Sequence, residues 1–418
     1  MDLISQLSDD LLLRILSFIP GKDVVATSLL SKRWQSLWML VPELEYDDSN
    51  HTGDYKSFSQ FVYRSLLSNK APVLEYLHLN LGPDCPAIDI GLWIGIALSR
   101  HLRELEIDIR SSSKKGAICL PSSLYTSDTL ETLILGNFVI LNVPSFVCLP
   151  SLKVLQLKRV DYVDNTSLPS LLSGCPNLEE LLVERHVRDD TTDTTVVVPS
   201  LQRLSMTDIY PATCGLYVID VPSLKHLTIT DTPVYNFRQI ENMPELVGAH
   251  VRITHGVTQK FMRALTSVQN LSLCLYLSEV KNPSGMIFNQ LVYLKLYTVV
   301  EGWWDLLTCM LQDSPKLQSL EIMDIHGSGY SSKETPVGWK PPSSVPECLL
   351  LSLEAFEWFG YKGRKGDREV ATYVLKNAAC LKTATFSPES TVVEENYKML
   401  KELASVPRAS TSSQLLFD

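Results

Sequence analysis

The 418-residue chain lacks the motifs that mark redox, secreted and membrane proteins. None of its nine cysteines is spaced as CxxC, which excludes a redox or zinc motif of that kind. No stretch approaches the roughly 20 apolar residues that a membrane-spanning helix needs. Asp9, Asp10 and Arg14 interrupt the apolar run that a secretory signal requires. We therefore expect an intracellular protein, cytoplasmic or nuclear, whose cysteines are mostly buried free thiols.

The chain also lacks an excess of basic residues and the common catalytic motifs. Its 37 basic and 47 acidic side chains give a formal net charge of −10, whereas nucleic-acid binding usually needs a basic surface. The sequence contains no HExxH, GxSxG, kinase or EF-hand motif, and His250 and His255 do not have the spacing of zinc ligands on a helix. We expect no enzyme activity, no catalytic residue, no metal, no cofactor, and neither a nucleic-acid nor a membrane partner.

What the chain does contain is a repeat of the form Leu-x-x-Leu-x-Leu. Clear copies begin at Leu74, Leu102, Leu130, Leu152, Leu178, Leu201, Leu224, Leu291 and Leu317, and weaker copies at Leu246, Val268, Leu353 and Leu381. Their spacing matches that of leucine-rich repeats, in which each unit adds one short strand to a parallel sheet. The pattern predicts an α/β fold: a leucine-rich repeat solenoid, shaped as a horseshoe with the sheet on its concave face and mixed structure on the convex side.

Six of the hexads share a proline two residues before their first leucine. Because proline fixes φ, these residues are predicted to hold the chain extended as it enters each strand. They are Pro150, Pro176, Pro199, Pro222, Pro244 and Pro315.

The solvent-facing position between the last two apolar residues of each hexad is the natural place for a target to bind. These positions are mixed in charge and polarity and contain no aromatic ladder or basic stripe, which favours a protein target. A small-molecule receptor remains an alternative, although the arginines that would bind an acidic ligand are dispersed in sequence. The predicted target-binding residues are His78, Glu106, Gln156, Ser205, Thr228, His250, Lys295 and Glu321.

The first forty residues follow a helical period instead. Leu12, Ile15, Leu16 and Ile19 fall at i, i+3, i+4 and i+7, with Ser8 placed to cap the helix. Two further short helices are predicted before residue 40. This segment is either a plain cap for the solenoid or a docking surface for another protein.

The residues 4–20 and the run Ala26-Thr-Ser-Leu-Leu-Ser-Lys-Arg-Trp34 resemble an F-box. The ending Ser-Lys-Arg-Trp-x-x-Leu-Trp is typical of the plant group that combines an F-box, leucine-rich repeats and an FBD domain. The resemblance implies binding to a Skp-type adaptor and, through it, to cullin. One departure from the family is Leu7-Ser8 in place of Leu-Pro. The residues that the resemblance assigns to adaptor binding are Leu7, Leu12, Ile15, Leu16, Ile19, Pro20, Val24, Val25, Leu29, Leu30 and Trp34, and Leu16→Glu is expected to abolish adaptor binding without unfolding the repeats.

The C-terminal segment resembles the FBD domain through Val-Pro-Glu-Cys-Leu, Gly-Tyr-x-Gly and Leu-x-Asn-Ala-x-x-Leu-Lys. Its glycines at 360, 363 and 366 do not have the spacing of a phosphate-binding loop, so a solvated turn between a strand and a helix is predicted. The predicted domains are an F-box at 1–45, leucine-rich repeats at 46–335 and an FBD domain at 336–418.

Together these features predict the substrate-recognition subunit of a Skp–cullin–F-box ubiquitin ligase. The F-box would bind the adaptor, and the repeats would bind a protein target that the sequence does not identify. The alternatives are a repeat scaffold with a degenerate F-box, outside any ligase, and a small-molecule receptor.

Overall fold

A computed structural model describes residues 4–19, 21–49, 55–82, 85–110, 118–185, 194–208, 216–230, 236–240, 243–253, 259–275, 285–298, 303–324, 339–390 and 392–417. The chain divides into two compact units, Met1–Leu201 and Gln202–Asp418. Each unit contains a parallel sheet built from the predicted hexads.

The first unit begins with the predicted three-helix segment. Helices α1, α2 and α3 span Asp9–Leu16, Gly21–Ala26 and Lys32–Leu37, with short 3-10 turns at Ile4–Gln6, Thr27–Leu29 and Trp38–Leu40. Ser8 caps α1: its Oγ accepts a hydrogen bond from the Leu11 amide at 3.4 Å. The serine that replaces the family's proline is therefore compatible with the helix, as predicted.

The rest of the first unit is a stack of repeats. Strands β1, β2, β3, β5, β7 and β9 pair in that order in one parallel sheet, while β4, β6 and β8 form a small second sheet. The elements are β1 (Glu43–Asp47), α4 (Tyr55–Ser68), β2 (Tyr76–Leu81), α5 (Ala87–Leu98), β3 (Glu104–Ile109), β4 (Ile118–Cys119), β5 (Thr132–Gly136), β6 (Val139–Leu141), β7 (Val154–Lys158), β8 (Asp161–Tyr162), α6 (Ser167–Ser173), β9 (Glu180–Arg185) and β10 (Thr194–Val197), with a 3-10 turn at Ser122–Thr126.

The second unit continues the same pattern. Its main parallel sheet has the order β11, β13, β15, β16, β17, β18, β19, β20, β21, and β12 pairs with β14. The elements are β11 (Arg203–Asp208), β12 (Leu216–Asp220), β13 (His226–Thr230), β14 (Asn236–Ile240), β15 (Gly248–Ile253), α7 (Gln259–Ala264), β16 (Asn270–Leu275), β17 (Tyr293–Tyr297), α8 (Trp303–Asp313), β18 (Ser319–Met323), α9 (Glu347–Leu351), β19 (Ala355–Tyr361), α10 (Lys365–Asn377), β20 (Thr383–Pro388), α11 (Val393–Ala404) and β21 (Gln414–Phe417).

The hexads form strands because their last two apolar residues point to the same side of the sheet. In β2, for example, Leu77 and Leu79 are fully buried while Tyr76 and His78 are partly exposed. All thirteen predicted hexads form strands of the main sheets, which confirms the leucine-rich repeat solenoid preceded by a small three-helix segment. Strand β1 was not predicted, because its hexad begins with Val41 and ends with Tyr46 instead of leucine.

The shared position of the six prolines has a different physical role from the one predicted. Each proline is the second residue of a tight turn, because the first leucine of the hexad donates its amide proton to the carbonyl three residues earlier. The Leu152 amide donates to the Leu149 carbonyl at 3.2 Å, and the Leu224 amide donates to the Val221 carbonyl at 3.0 Å. The same hydrogen bond is present in the remaining four hexads. The prediction that these prolines hold the chain extended before each strand was therefore wrong. Proline instead presets the φ that the second position of a turn requires.

The glycine-rich loop lies between β19 and α10, as predicted, but it is not simply solvated. Lys362 Nζ and Arg364 NH2 lie 3.3 and 3.4 Å from Asp324 Oδ2, and Arg364 Nε lies 2.8 Å from Asp367 Oδ2. The Asp324 and Asp367 side chains are buried, so the basic residues of the loop balance two carboxylates that would otherwise be costly to bury. Gly360, the penultimate residue of β19, adopts φ = +71° at the register shift between Phe359 and Tyr361.

Candidate functional site

Four of the predicted adaptor-binding residues form the core of the helical segment itself. Leu12 is fully buried, and Leu16, Val24 and Trp34 are almost completely buried, packed together with Leu37 and Val41. Their side chains are not accessible to a partner while this segment is folded. They pack the three helices together, and their role in adaptor binding stays a prediction.

Other predicted residues are accessible. Leu29 is 88% exposed, Leu30 is 68% exposed and Ile15 is 44% exposed, whereas Leu7, Ile19 and Val25 are partly covered. Pro20 lies outside the described residues. The structure therefore divides the predicted set by accessibility, and the role of these residues in adaptor binding stays a prediction.

Four accessible apolar residues of the helical segment were not predicted: Ile4, Leu11, Phe18 and Leu40. Leu11 and Ile15 lie four residues apart on a face of α1 that differs from the buried face of Leu12 and Leu16, and Phe18 follows in the turn after the helix. Phe18 is 78% exposed, which is unusual for so large an apolar side chain. Exposed apolar side chains of this size commonly mark contacts with other proteins. We define the F-box apolar surface as Ile4, Leu11, Ile15, Phe18, Leu29 and Leu30.

Arg33 holds the frame on which this surface is carried. Its Nε and NH2 donate to Asp9 Oδ1 at 2.9 and 2.6 Å, and its NH2 also donates to the Leu7 carbonyl at 2.6 Å. These bonds tie α3 to the start of α1. The arginine of the Ser-Lys-Arg-Trp motif, Arg33, thus has a structural role in the F-box.

The predicted target-binding residues occupy one row across the sheet of each unit. The strand register aligns His78, Glu106, Ile134 and Gln156 in the first unit. In the second unit it aligns Ser205, Thr228, His250, Ser272, Lys295 and Glu321. We call this side of each sheet the polar face. Target binding by these residues stays a prediction.

On the polar face of the second unit, Lys295 and Glu321 form an ion pair. Lys295 Nζ lies 2.6 Å from Glu321 Oε1, and the Tyr293 hydroxyl donates to the same carboxylate. His250 Nδ1 lies 2.9 Å from Ser272 Oγ. Burial and the positive charge of Lys295 lower the pKa of His250, so its neutral form is favoured. Glu321 is buried, which leaves it little direct access to a target.

The polar face of the first unit carries acidic residues at its β1 end. Across β1, β2 and β3 the nine polar-face positions are Glu43, Glu45, Asp47, Tyr76, His78, Asn80, Glu104, Glu106 and Asp108, with no lysine or arginine among them. Burial and the nearby carboxylates of Glu75 and Glu104 raise the pKa of Glu43. The repulsion between these carboxylates disfavours the ionised form of Glu43 in the folded protein.

We expect Glu43→Gln to raise the melting temperature at pH 7, by about 1 °C. A raised carboxyl pKa means that ionised Glu43 is less stable in the folded than in the unfolded chain, so glutamine removes a penalty. The gain should shrink as pH falls through the titration range of Glu43, where the wild-type carboxyl becomes protonated. Differential scanning calorimetry between pH 7 and pH 4 measures this, with Glu179→Gln as the control; an equal gain at both pH values would contradict the prediction.

The cysteines offer no activated nucleophile among the residues whose pKa shifts are resolved. Burial raises the pKa of Cys85, Cys175 and Cys348 to about 12 and that of Cys274 to about 11. Each would be a neutral thiol near pH 7 and a poor nucleophile. The described cysteines are free, and Cys148 and Cys380 are exposed, so the prediction of buried thiols holds for four of the seven.

Other ligand sites are sparse in the ranges that the structure covers. No group of three or more histidine, cysteine, aspartate or glutamate side chains there is arranged to bind a metal. A small open pocket with a volume of about 10 Å³ lies beside Tyr162, Leu168, Val183 and Arg185. It is smaller than the roughly 300–1,000 Å³ of typical ligand pockets. Within the same ranges, no helix has the length and apolar character to cross a bilayer.

Comparison with known proteins accounts for all three segments. The family model of the F-box domain matches residues 4–45, that of the FBD matches residues 340–386, and that of the leucine-rich repeats of FBD-associated F-box protein At5g56370 matches residues 90–246. F-box/FBD/LRR-repeat protein At4g26340 of Arabidopsis thaliana is 77% identical over 419 residues, covering all of both chains. The chain belongs to the F-box/FBD/LRR-repeat family.

Further relatives extend over the same full length. F-box/FBD/LRR-repeat protein At5g56420 of Arabidopsis thaliana is 44% identical over 425 residues, covering 100% of this chain and 99% of the relative. These matches confirm the predicted plant F-box/FBD/leucine-rich repeat family. F-box domains generally bind Skp-type adaptors, and F-box/LRR proteins are generally adaptor subunits rather than enzymes. The exact boundaries of the three domains stay a prediction.

Proposed function

We propose that this protein is the substrate-recognition subunit of a Skp–cullin–F-box ubiquitin ligase. The observation that carries the proposal is the F-box apolar surface, which projects large apolar side chains from a folded three-helix core. Burying them against an adaptor would remove apolar area from water, which is the main driving force for such contacts. The cullin would be reached through the adaptor.

The polar faces of the two sheets are the proposed surface for a protein target. Their side chains vary in charge along the repeats, from the acidic β1–β3 positions to the Lys295–Glu321 pair, which suits recognition by complementary charge and shape. No small-molecule pocket on these faces supports the receptor alternative in the described residues. The chain would contribute proximity, and the ligase partners would perform the transfer of ubiquitin.

Co-elution with a purified Skp-type adaptor tests the proposal. We expect the full chain to form a complex in size-exclusion chromatography, and Phe18→Asp and Leu29→Asp each to weaken it by about 30-fold or more, since an exposed anchor at such an interface contributes about 2 kcal/mol or more. Both side chains are highly exposed, so the F-box should remain folded.

Leu67→Asp is the matched control, because Leu67 is an equally exposed leucine on α4 outside the F-box. It should leave the complex unchanged. A folded wild-type chain that fails to bind the adaptor at micromolar concentrations would overturn the proposal. Equal weakening by all three variants would show that the F-box apolar surface is not the contact.

Ser8 is the observation behind the second candidate, a repeat scaffold with a degenerate F-box. Its Oγ caps α1, so the substitution preserves the helix while removing the apolar ring that the family usually has there. On this alternative, wild-type protein would not bind the adaptor and Ser8→Pro would gain binding. Titration of both proteins with adaptor by isothermal calorimetry separates the two functions.

A further inference from the structure

The segment that joins the F-box to the first repeat makes backbone hydrogen bonds to the loop between α4 and β2. The Met39 carbonyl accepts a hydrogen bond from the Lys70 amide at 2.5 Å, and the Pro42 carbonyl accepts one from the Glu75 amide at 2.8 Å. Both donors belong to the loop between α4 and β2. A connection between domains is usually mobile unless contacts restrain it, and here the next repeat provides those contacts.

Asn69 lies at the centre of this junction. Its Nδ2 donates to the Val41 carbonyl at 2.7 Å, and its Oδ1 accepts from the Ala71 amide at 3.1 Å and from Arg100 NH2 at 2.7 Å. Asn69 is buried, and Val41 belongs to the F-box core. One buried amide therefore connects the F-box core, the first repeat and, through Arg100, the second repeat.

Gly21 provides a second point of contact between the F-box and the repeats. It is the first residue of α2, and a Cβ at this position would lie 2.5 Å from the backbone carbonyl oxygen of Glu45 in β1. Real Cβ atoms do not approach a backbone oxygen so closely, so only glycine allows α2 to pack directly against this strand. The close approach places the F-box on the outer edge of β1.

We propose that Asn69 and Gly21 are positioning residues that hold the F-box in one orientation relative to the first repeats. A target on the β1–β9 polar face would then be presented at a constant distance from an adaptor on the F-box apolar surface. The constant distance between target and adaptor rests on the proposed function. The fixed orientation of the F-box on the first repeats does not, because it follows from the contacts themselves. A constant distance matters because proximity is what a substrate receptor contributes.

Two variants loosen the junction in different ways. Asn69→Asp keeps the acceptor for Ala71 and Arg100, replaces the donor to Val41 with an acceptor, and adds a negative charge beside Arg100. Gly21→Ala introduces the Cβ that meets Glu45. The matched controls are Asn177→Asp, since Asn177 Nδ2 donates to the Pro150 carbonyl at 2.8 Å between two inner repeats, and Gly91→Ala, since nothing lies within 4 Å of a Cβ at Gly91.

Pulsed electron paramagnetic resonance on the full chain provides the measurement. Spin labels at Gln35 in the F-box and Ile88 on α5 are attached through an unnatural ketone-bearing amino acid, which leaves the native cysteines unlabelled. Wild type and both controls should give one narrow distance distribution, whereas Asn69→Asp and Gly21→Ala should broaden or shift it. Hydrogen exchange at the Lys70 and Glu75 amides should accelerate on the order of tenfold in the two variants and not in the controls.

A distance distribution in both variants as narrow as in wild type, at the same mean, would overturn the proposal. A purely structural role would lower stability without changing this distribution. Resistance of residues 1–40 to limited proteolysis in the same samples shows whether the F-box remains folded, and if one variant loses its fold the other decides. Failure of the wild-type chain to bind adaptor would remove the proposed function but would leave the distance measurement interpretable.

Discussion

Leu16→Asp and Ile15→Asp change neighbouring residues of α1 and are expected to have different effects: the first on the fold of the F-box, the second on adaptor binding. Leu16 is 1% exposed within the F-box core, so an aspartate there would bury a carboxylate without a partner. Such burial costs several kcal/mol, which exceeds what a three-helix segment of about forty residues can tolerate. We expect Leu16→Asp to unfold the F-box while the repeats remain folded.

Ile15 is on the exposed side of α1, and Ile15→Asp removes an apolar contact without disturbing the core. We expect it to weaken adaptor binding by at least about tenfold while the F-box keeps its fold. The sequence-based expectation that Leu16→Glu abolishes adaptor binding without unfolding the repeats stays a prediction, and the burial of Leu16 supplies a reason for it: a charge there would unfold the F-box itself.

Limited proteolysis and adaptor co-elution together distinguish the two variants. Leu16→Asp should be cleaved rapidly between residues 1 and 40 and should not bind, whereas Ile15→Asp should resist cleavage like wild type and bind weakly. Leu67→Asp again serves as the control for an added charge on an exposed helix. A protease-resistant Leu16→Asp protein would show that Leu16 is not part of the folded core.

The sequence predicted the repeats well because each hexad carries its own information. Burial alternates with the apolar pattern along most strands of the main sheets whose burial is described, so Leu-x-x-Leu-x-Leu was sufficient to find thirteen strands and their register positions. Strand β1 was missed because Val41 and Tyr46 take the leucine positions. Allowing any large apolar residue at the outer hexad positions would have found it.

The docking side of α1 was harder to predict from sequence. Leu11, Leu12 and Leu13 are consecutive, so apolar residues occur on several sides of the helix and the period alone does not say which side is inside. That choice depends on Trp34 and Val41, which are distant in sequence and pack against Leu12 and Leu16. A local pattern contains no information on such tertiary contacts.

The glycine-rich FBD loop shows the same limit in another form. Its position between a strand and a helix was predictable from glycine content and the following helical period. The ion pairs of Lys362 and Arg364 with Asp324 were not, because Asp324 precedes the loop by about forty residues and is brought near it only by the pairing of β18 with β19. The function of the loop in the fold therefore emerged only from the structure.

Gly360→Ala is expected to be the most damaging single substitution in this loop, at about 2–4 kcal/mol. Gly360 has φ = +71°, a region that alanine adopts at a cost, and a Cβ there would overlap the backbone carbonyl oxygen of Asp324. Asp324 directly follows β18 and its amide donates to the Phe359 carbonyl at 2.9 Å, so its backbone oxygen cannot move aside easily. The substitution should therefore push the loop away from Asp324 and weaken its pairing with Lys362 and Arg364.

Gly363→Ala provides the internal comparison, because Gly363 also has a positive φ, +62°, but its Cβ would meet only the flexible side chain of Met399. We expect it to cost about 1 kcal/mol, the strain alone. Gly91→Ala, in the interior of α5 with open space around it, should instead stabilise its helix by about 0.5–1 kcal/mol. Hydrogen exchange across α10 and α5 measures the stability of all three variants, and the order of their stabilities is the decisive result. A loss of stability in Gly363→Ala equal to that in Gly360→Ala would mean that backbone strain makes glycine necessary at position 360. The contact with Asp324 would then not be the reason.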